Sequence, residues 1–207
     1  MTIATILFDF GGVIYQIPDL TWVIKLQDML GITLEPDVIE LLENPNESLL
    51  MRDICLGEIS EDQIWEAVIE KWGIKPRVFR HIRRKFISRR HCNKPLVRFL
   101  KKLGQSYKTG ILSNAGNQTR SFMEDVFHLD RYVDDIIISA EEKLIKPDER
   151  IYQVAMDRLD AEPETSLFLD DLLVNVEAAR DFGMKAIQFI DTQQAILEIN
   201  AILEGEG

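Results

Sequence analysis

The stretch Ile6-Leu7-Phe8-Asp9-Phe10-Gly11-Gly12-Val13-Ile14 constrains this chain more than any other. An apolar run beginning at Ile3 is long enough for a buried strand, and it ends in a carboxylate followed by a Gly-Gly pair that does not readily continue a strand. Asp9 is therefore expected at the strand's carboxyl end, the edge of an open parallel sheet where ligands bind. An aspartate that merely turns the chain is the plain alternative, and for Asp9 taken alone it is an equally good reading.

With 207 residues and 46% hydrophobic content, the chain can bury one sizeable core and carry a smaller appended unit. Cys55 and Cys92 are too few for a disulfide scaffold and lack metal-site spacing, which fits a reducing, cytoplasmic setting. Asp9 interrupts the apolar opening early, no basic start precedes it, and no later stretch is long enough to span a bilayer. A formal net charge of −11 argues against nucleic acid and anionic lipid as partners. Against that background the segment from Arg77 to Arg90 holds seven basic residues and no acid. Interleaved with Val78, Ile82, Phe86 and Ile87, they read as the solvent face of an amphipathic helix, with substrate steering the lesser alternative.

From about Asp19 to Arg90 the periodicity is helical: Leu20/Val23/Ile24, Val38/Ile39/Leu42, Ile64/Trp65/Val68/Ile69 and Val78/Ile82/Phe86. Breaks fall at Gly31, Pro36, Asn44-Pro45-Asn46, the turn at 57–60 and the stretch 73–76, and Ser60 with Gln63 reads as a capping box. This marks an all-helical insertion over 15–91, between an α/β unit formed by 1–14 and 92–207. From Asn93 onward the pattern alternates. A helix through Leu96, Leu100 and Leu103 stops at Gly104, and strands are expected over 107–112, 136–138, 166–169 and 185–190, with helices to about Phe127, over 148–159 and at the terminus. Buried strands joined by helices require right-handed crossovers, hence an α/β fold with a doubly wound, parallel (Rossmann-like) sheet.

The loops at the strand ends then converge on one rim. Asp9 closes the first strand, Ser113-Asn114 the second, Lys146 follows the third, and Asp170-Asp171 closes the fourth. Each could be a cap, a turn or a surface residue. Their joint placement is what points to a site for an anion and a hard cation.

These four segments resemble, in order, the motifs of the haloacid dehalogenase superfamily: Phe8-Asp9-Phe10-Gly11-Gly12-Val13, Leu112-Ser113-Asn114, Lys146-Pro147, and Phe168-Leu169-Asp170-Asp171 followed by Asn175. The likeness spans essentially the whole chain, and the insertion at 15–91 matches the position of that family's helical cap. It is nearest to the phosphatase branch, including sugar-phosphate phosphatases and the phosphatase domain of epoxide hydrolases. Dehalogenases of the superfamily usually carry serine and asparagine where this chain has Asp170-Asp171, which argues against dehalogenation.

The resemblance implies a Mg²⁺-dependent phosphatase acting on a small phosphomonoester, with Asp9 as nucleophile and phospho-aspartyl carrier. The implied metal ligands are Asp9, the Gly11 carbonyl and Asp171, with Asp170 as a ligand or as a partner behind it. Ser113 and the Asn114 backbone would hold phosphoryl oxygens, and Lys146 would offset the charge of phosphate and nucleophile. One position departs from the family. Its active phosphatases usually carry a second aspartate, the leaving-group acid, two residues after the nucleophile, where this chain has Gly11. That departure keeps open a lapsed phosphate- and metal-binding regulator on the same fold. A phosphonate-cleaving relative is a weaker third reading, because nothing singles out Lys25, Lys71 or Lys75 as its imine-forming lysine. The substrate would be set by insertion residues such as Trp22, Trp65 and Trp72, which at helical spacing are more often core.

Overall fold

The computed structural model describes residues 2–16, 36–44, 46–63, 66, 70, 77 and 91–205. The helix expected around Leu20, most of those expected around Ile64 and Val78, all three tryptophans, Lys25, Lys71, Lys75 and the basic run beyond Arg77 lie outside the described residues; Arg77 itself is exposed.

Strand β1 (Thr5–Phe8) leads through the Gly-Gly turn into β2 (Tyr15–Gln16). Within the insertion, helices α1 (Pro36–Glu43) and α2 (Leu49–Cys55) follow, and β3 (His91–Cys92) returns the chain. The rest alternates: α3 (Lys94–Leu103), β4 (Lys108–Ser113), α4 (Thr119–Ser121), β5 (Asp135–Ile138), α5 (Ser139–Glu142), α6 (Glu149–Leu159), β6 (Ser166–Asp170), α7 (Leu173–Asp181), β7 (Lys185–Gln188) and α8 (Thr192–Glu204). Five strands form one parallel sheet in the order β5-β4-β1-β6-β7.

Both faces of this sheet are covered, which is why its strands are apolar throughout rather than alternating. Ile6, Phe8, Ile111, Ile138 and Leu169 face a layer completed by Leu96 and Leu100 of α3 and Ile199 of α8. Leu7, Leu112, Ile137 and Phe168 face the other way, onto Ile151, Tyr152 and Ala155 of α6 and Val176 of α7. Each large apolar side chain so buried contributes about 1.5–3 kcal/mol. Helix α3 begins where the sequence places it because Asn93 accepts the Leu96 N–H and Pro95 occupies the first turn, and it stops at Gly104.

Three features differ from the sequence reading. The helix expected to run to Phe127 is α-helical only over Thr119–Ser121 and continues as a π-helical turn, Phe122–Val126. The short α5 was not foreseen, being one turn long and without a capping side chain. The third is the antiparallel ribbon β2-β3, in which Tyr15 pairs with Cys92 and Gln16 with His91. It ties the two ends of the insertion together, reinforced by the Asn93 N–H to Ile14 O at 2.8 Å and Asn93 Nδ2 to Val13 O at 3.2 Å. Two-residue strands carry no periodic signal, so only the pattern switch near residues 15 and 91 hinted at this junction.

Candidate active site

Strand β1 delivers Asp9 to the carboxyl edge of the sheet. Phe8 pairs with Ile111 of β4 and Leu169 of β6, and Asp9 N–H donates to Leu169 O at 2.8 Å. From β1 the chain builds outward through β4 and β5, then resumes on the other side with β6 and β7. Open α/β sheets bind ligands at such a switch point, and Asp9 lies at this one.

The turn beyond Asp9 is held by aromatic packing. The Phe10 ring stacks on Tyr15 with centroids 5.1 Å apart and meets Phe122 edge-on at 6.4 Å. Gly12 N–H donates to Tyr15 O and Tyr15 N–H to Phe10 O, both at 2.8 Å. Gly12 has φ +83°, and a Cβ built on it would lie 2.2 Å from Asp171 Oδ2. Only glycine allows both the backbone conformation and the approach of that carboxylate.

Lys146, 3% exposed, reaches the rim from the loop after β5. Its ammonium donates to Asp9 Oδ1 at 2.7 Å, to Asp170 Oδ2 at 2.6 Å and to Leu112 O at 3.0 Å, which uses its three N–H groups. Asn114 fixes the lysine's backbone, accepting its N–H at 2.8 Å and donating to its carbonyl at 2.9 Å. Asn114's side chain is thus committed to Lys146. Ser113, buried, ends β4 on the strand beside Asp9, and Gly11, half-buried, bridges to Tyr15.

Asp170 is fully buried and accepts on both oxygens. Oδ1 takes the Leu172 N–H at 2.8 Å, Oδ2 takes Lys146, and Asn175 Nδ2 lies 3.1 Å from each. Asn175 in turn is set by Tyr152, whose hydroxyl donates to its carbonyl at 3.0 Å.

Asp9, Asp170 and Asp171 offer carboxylate oxygens within 4.8 Å of one another. Three carboxylates against one ammonium leave a formal charge of −2, which a divalent cation balances. All-oxygen donors suit Mg²⁺, and because both Asp170 oxygens already accept hydrogen bonds, Asp9 and Asp171 are the carboxylates best placed to take it. The electrostatics agree. Burial pushes the Asp9 carboxyl up to about 7, with Asp170 and Asp171 adding to the rise against the pull of Lys146. Asp171 is raised by burial and by Asp170. Burial alone would lower the Lys146 ammonium, but Asp9 and Asp170 outweigh it and hold Lys146 above its ordinary range.

The residues flagged at the strand ends therefore fall on one rim, and the hydrogen bonds join Asp9, Asn114, Lys146 and Asp170 directly. What the sequence reading left without a task is Asn175, which stood only at the end of the fourth motif. Its signal was spacing, five residues after Asp170 and one turn into a helix. The Leu112 carbonyl carried no signal, since backbone groups have none.

Residues 6–189 match the family model for haloacid dehalogenase-like hydrolases. The chain is 28% identical over 222 residues to the bifunctional epoxide hydrolase 2 of Sus scrofa, covering 98% of this chain and 39% of that protein, so it spans about two fifths of that relative's length. A sesquiterpene phosphatase of Aspergillus oryzae is 24% identical over 209 residues, covering 98% of this chain and 97% of that protein. Among solved structures, a haloacid dehalogenase-family enzyme of Bacteroides thetaiotaomicron in complex with magnesium and inorganic phosphate superposes with a TM-score of 0.75 at 18% identity, covering 94% of this chain and 98% of that one. Among the described residues no helix is long and apolar enough to cross a membrane.

Proposed function

The chain belongs to the haloacid dehalogenase-like hydrolases, and from that premise we propose that it is a Mg²⁺-dependent phosphatase acting on a small phosphomonoester. The observation that carries the reading is Asp9 at the switch point, hydrogen-bonded to Lys146 at 2.7 Å and grouped with two further carboxylates within 4.8 Å. The phosphatase and the magnesium-and-phosphate complex among the similar proteins support it. So does the acidic pair Asp170-Asp171, because a cluster of charge −2 calls for a cation that halide displacement does not need.

In this proposal Asp9 and Asp171, with the Gly11 carbonyl, would hold the ion, and Asp170 acts one step back by fixing Lys146. Bound magnesium would supply the positive charge that lets a carboxylate meet a phosphate dianion. Asp9 attacks phosphorus in line as the ester oxygen departs with its electron pair. A water then attacks the phospho-aspartate, releasing inorganic phosphate and restoring Asp9. Lys146, locked by three acceptors, offsets charge on nucleophile and phosphoryl group without having to reorganise. Ser113 and the Asn114 backbone N–H hold phosphoryl oxygens, and the insertion at 15–91 serves as a helical cap that excludes bulk water.

The test is a panel of phosphomonoesters assayed with Mg²⁺ and with chelator. Hydrolysis is expected only with the metal, and Asp9→Asn is expected to abolish it while the fold stays intact. Full activity in Asp9→Asn would overturn the mechanism.

A further inference from the structure

The described part of the insertion reaches the loop that follows β4 in two ways, once through Ser139 of α5 and once directly. At the end of α2, the Cys55 carbonyl accepts from Ser139 Oγ at 2.7 Å, and the same hydroxyl accepts the Ala115 N–H at 2.9 Å. Six residues on, a helix opens at Glu61, capped reciprocally by Ser60 and Gln63: Ser60 N–H donates to Gln63 Oε1 at 2.8 Å and Gln63 N–H to Ser60 Oγ at 3.2 Å. That cap holds Glu61 where its Oε2 accepts the Gln118 N–H at 3.2 Å. Gly116 lies between the two contacts. A Cβ there would come within 2.8 Å of Ile54 Cγ2 and 2.9 Å of Glu61 Cδ, so the close approach depends on this glycine.

The loop so gripped begins at Asn114, just past the end of β4, and the Asn114 side chain holds the Lys146 backbone on both sides. Lys146 holds Asp9. A continuous chain of hydrogen bonds and adjacent residues therefore runs from a carboxylate of the insertion to the rim of the sheet. A carboxylate on a backbone N–H makes a charge-assisted bond, here at 3.2 Å, and a seated insertion would impose one geometry on the loop.

We propose that Glu61 is a positioning residue for hydrolysis, a latch by which the seated insertion sets residues 114–118 and, through Asn114, the Lys146–Asp9 pair. The proposal rests on the phosphatase reading above. Glu61 touches neither Asp9 nor Lys146 in this chain of contacts, and acts through the loop.

Residue-resolved amide hydrogen exchange and steady-state kinetics on p-nitrophenyl phosphate with Mg²⁺ test it together, on the full chain. In Glu61→Ala, exchange is expected to quicken about tenfold or more at Gln118 and also at Lys146, whose N–H is held by Asn114, while kcat falls about tenfold and KM changes less than about threefold. Glu61→Gln keeps an acceptor for Gln118 and is expected to return both readouts to within about threefold of the parent. Gly116→Ala, which pushes the carboxylate away with Glu61 still present, should reproduce the loss and serves where Glu61→Ala folds poorly. An unchanged Lys146 amide in Glu61→Ala, or a Glu61→Gln protein as impaired as Glu61→Ala, overturns the latch. If the parent protein hydrolyses no phosphomonoester, the phosphatase reading fails by itself, and exchange at Lys146 still decides whether the latch exists.

Discussion

Lys146 Nζ donates to Asp9 Oδ1 at 2.7 Å across 137 residues of sequence, with both side chains almost wholly out of water. A pair so buried is costly to break from one side, because the remaining charge has neither partner nor solvent. Removing one member of such a pair typically costs about 3–5 kcal/mol. Lys146→Met is expected to lose stability on that scale, since it leaves Asp9 without this partner and takes the ammonium from Asp170, and to lose all hydrolysis. Lys146→Arg is not expected to rescue it: a planar fork cannot meet the three acceptors that converge on one ammonium. Urea denaturation of the three proteins measures this, and a loss below about 1 kcal/mol in Lys146→Met would show that the pair carries little.

Gly12 offers a separate handle on the carboxylate cluster. Its φ of +83° disfavours any side chain, and a Cβ would sit 2.2 Å from Asp171 Oδ2. Gly12→Ala is expected to cost about 1–3 kcal/mol of stability through backbone strain. By displacing Asp171 it is also expected to weaken Mg²⁺ binding about tenfold or more, as loss of one ligand would. Thermal-shift titration with MgCl₂ reads the second effect independently of the first. An unaltered magnesium midpoint in Gly12→Ala would remove Asp171 from the proposed ligand set.

The Asp9 carboxyl, pushed by burial up to about 7 from an ordinary 3.8, makes stability depend on pH with a definite sign. Between those values the metal-free native state holds a proton that the unfolded chain has released. Its contribution is therefore greatest at low pH and is lost as pH rises through about 7. Asp171, raised as well, adds in the same direction. Chelator-treated protein is expected to melt at progressively lower temperature from about pH 5 to about pH 8. Added Mg²⁺, which competes with that proton, should stabilise more at the upper end than at the lower. Equal magnesium stabilisation at both ends would contradict the linkage.

Much of this site was legible because apolar strands announce their own ends. The run up to Phe8 and the run up to Leu169 each stop at an acid, which puts Asp9 and Asp170 on a rim from the pattern alone. Lys146 was legible only by association with Pro147 and the other three segments, since a lone lysine before a proline is usually a surface residue. The division of labour between Asp170 and Asp171 was not legible. The structure shows only that Asn175, the Leu172 N–H and Lys146 together occupy the Asp170 carboxylate, a matter of packing and not of pattern, and the proposed ligand set builds on that. The β2-β3 ribbon escaped for a related reason: its stability comes from the two ends of a long insertion meeting, which no local window contains. The Ser60/Gln63 capping box, by contrast, is a purely local signal and stands as read.

Gly11 governs the remaining prediction. Phosphoryl transfer passes through a loose transition state in which the leaving oxygen gathers negative charge, and a positioned acid that neutralises it contributes roughly 10²–10⁴ in rate. Gly11 has no side chain to donate that proton, so the leaving group must carry more of the charge itself. The expected consequence is a preference for esters of acidic alcohols, such as aryl phosphates or an anomeric sugar 1-phosphate, over a primary-alcohol ester such as a sugar 6-phosphate. Gly11→Asp should raise turnover chiefly for the poor leaving groups and flatten the dependence of rate on leaving-group acidity, because the new carboxyl would stand two residues from Asp9 in the same turn. The measurement is kcat/KM across phosphate esters of graded leaving-group pKa, for both proteins. A steep dependence in the parent that flattens in Gly11→Asp is the expected result. A shallow dependence already present in the parent would mean that another group donates the proton, and would direct the search for it to the insertion.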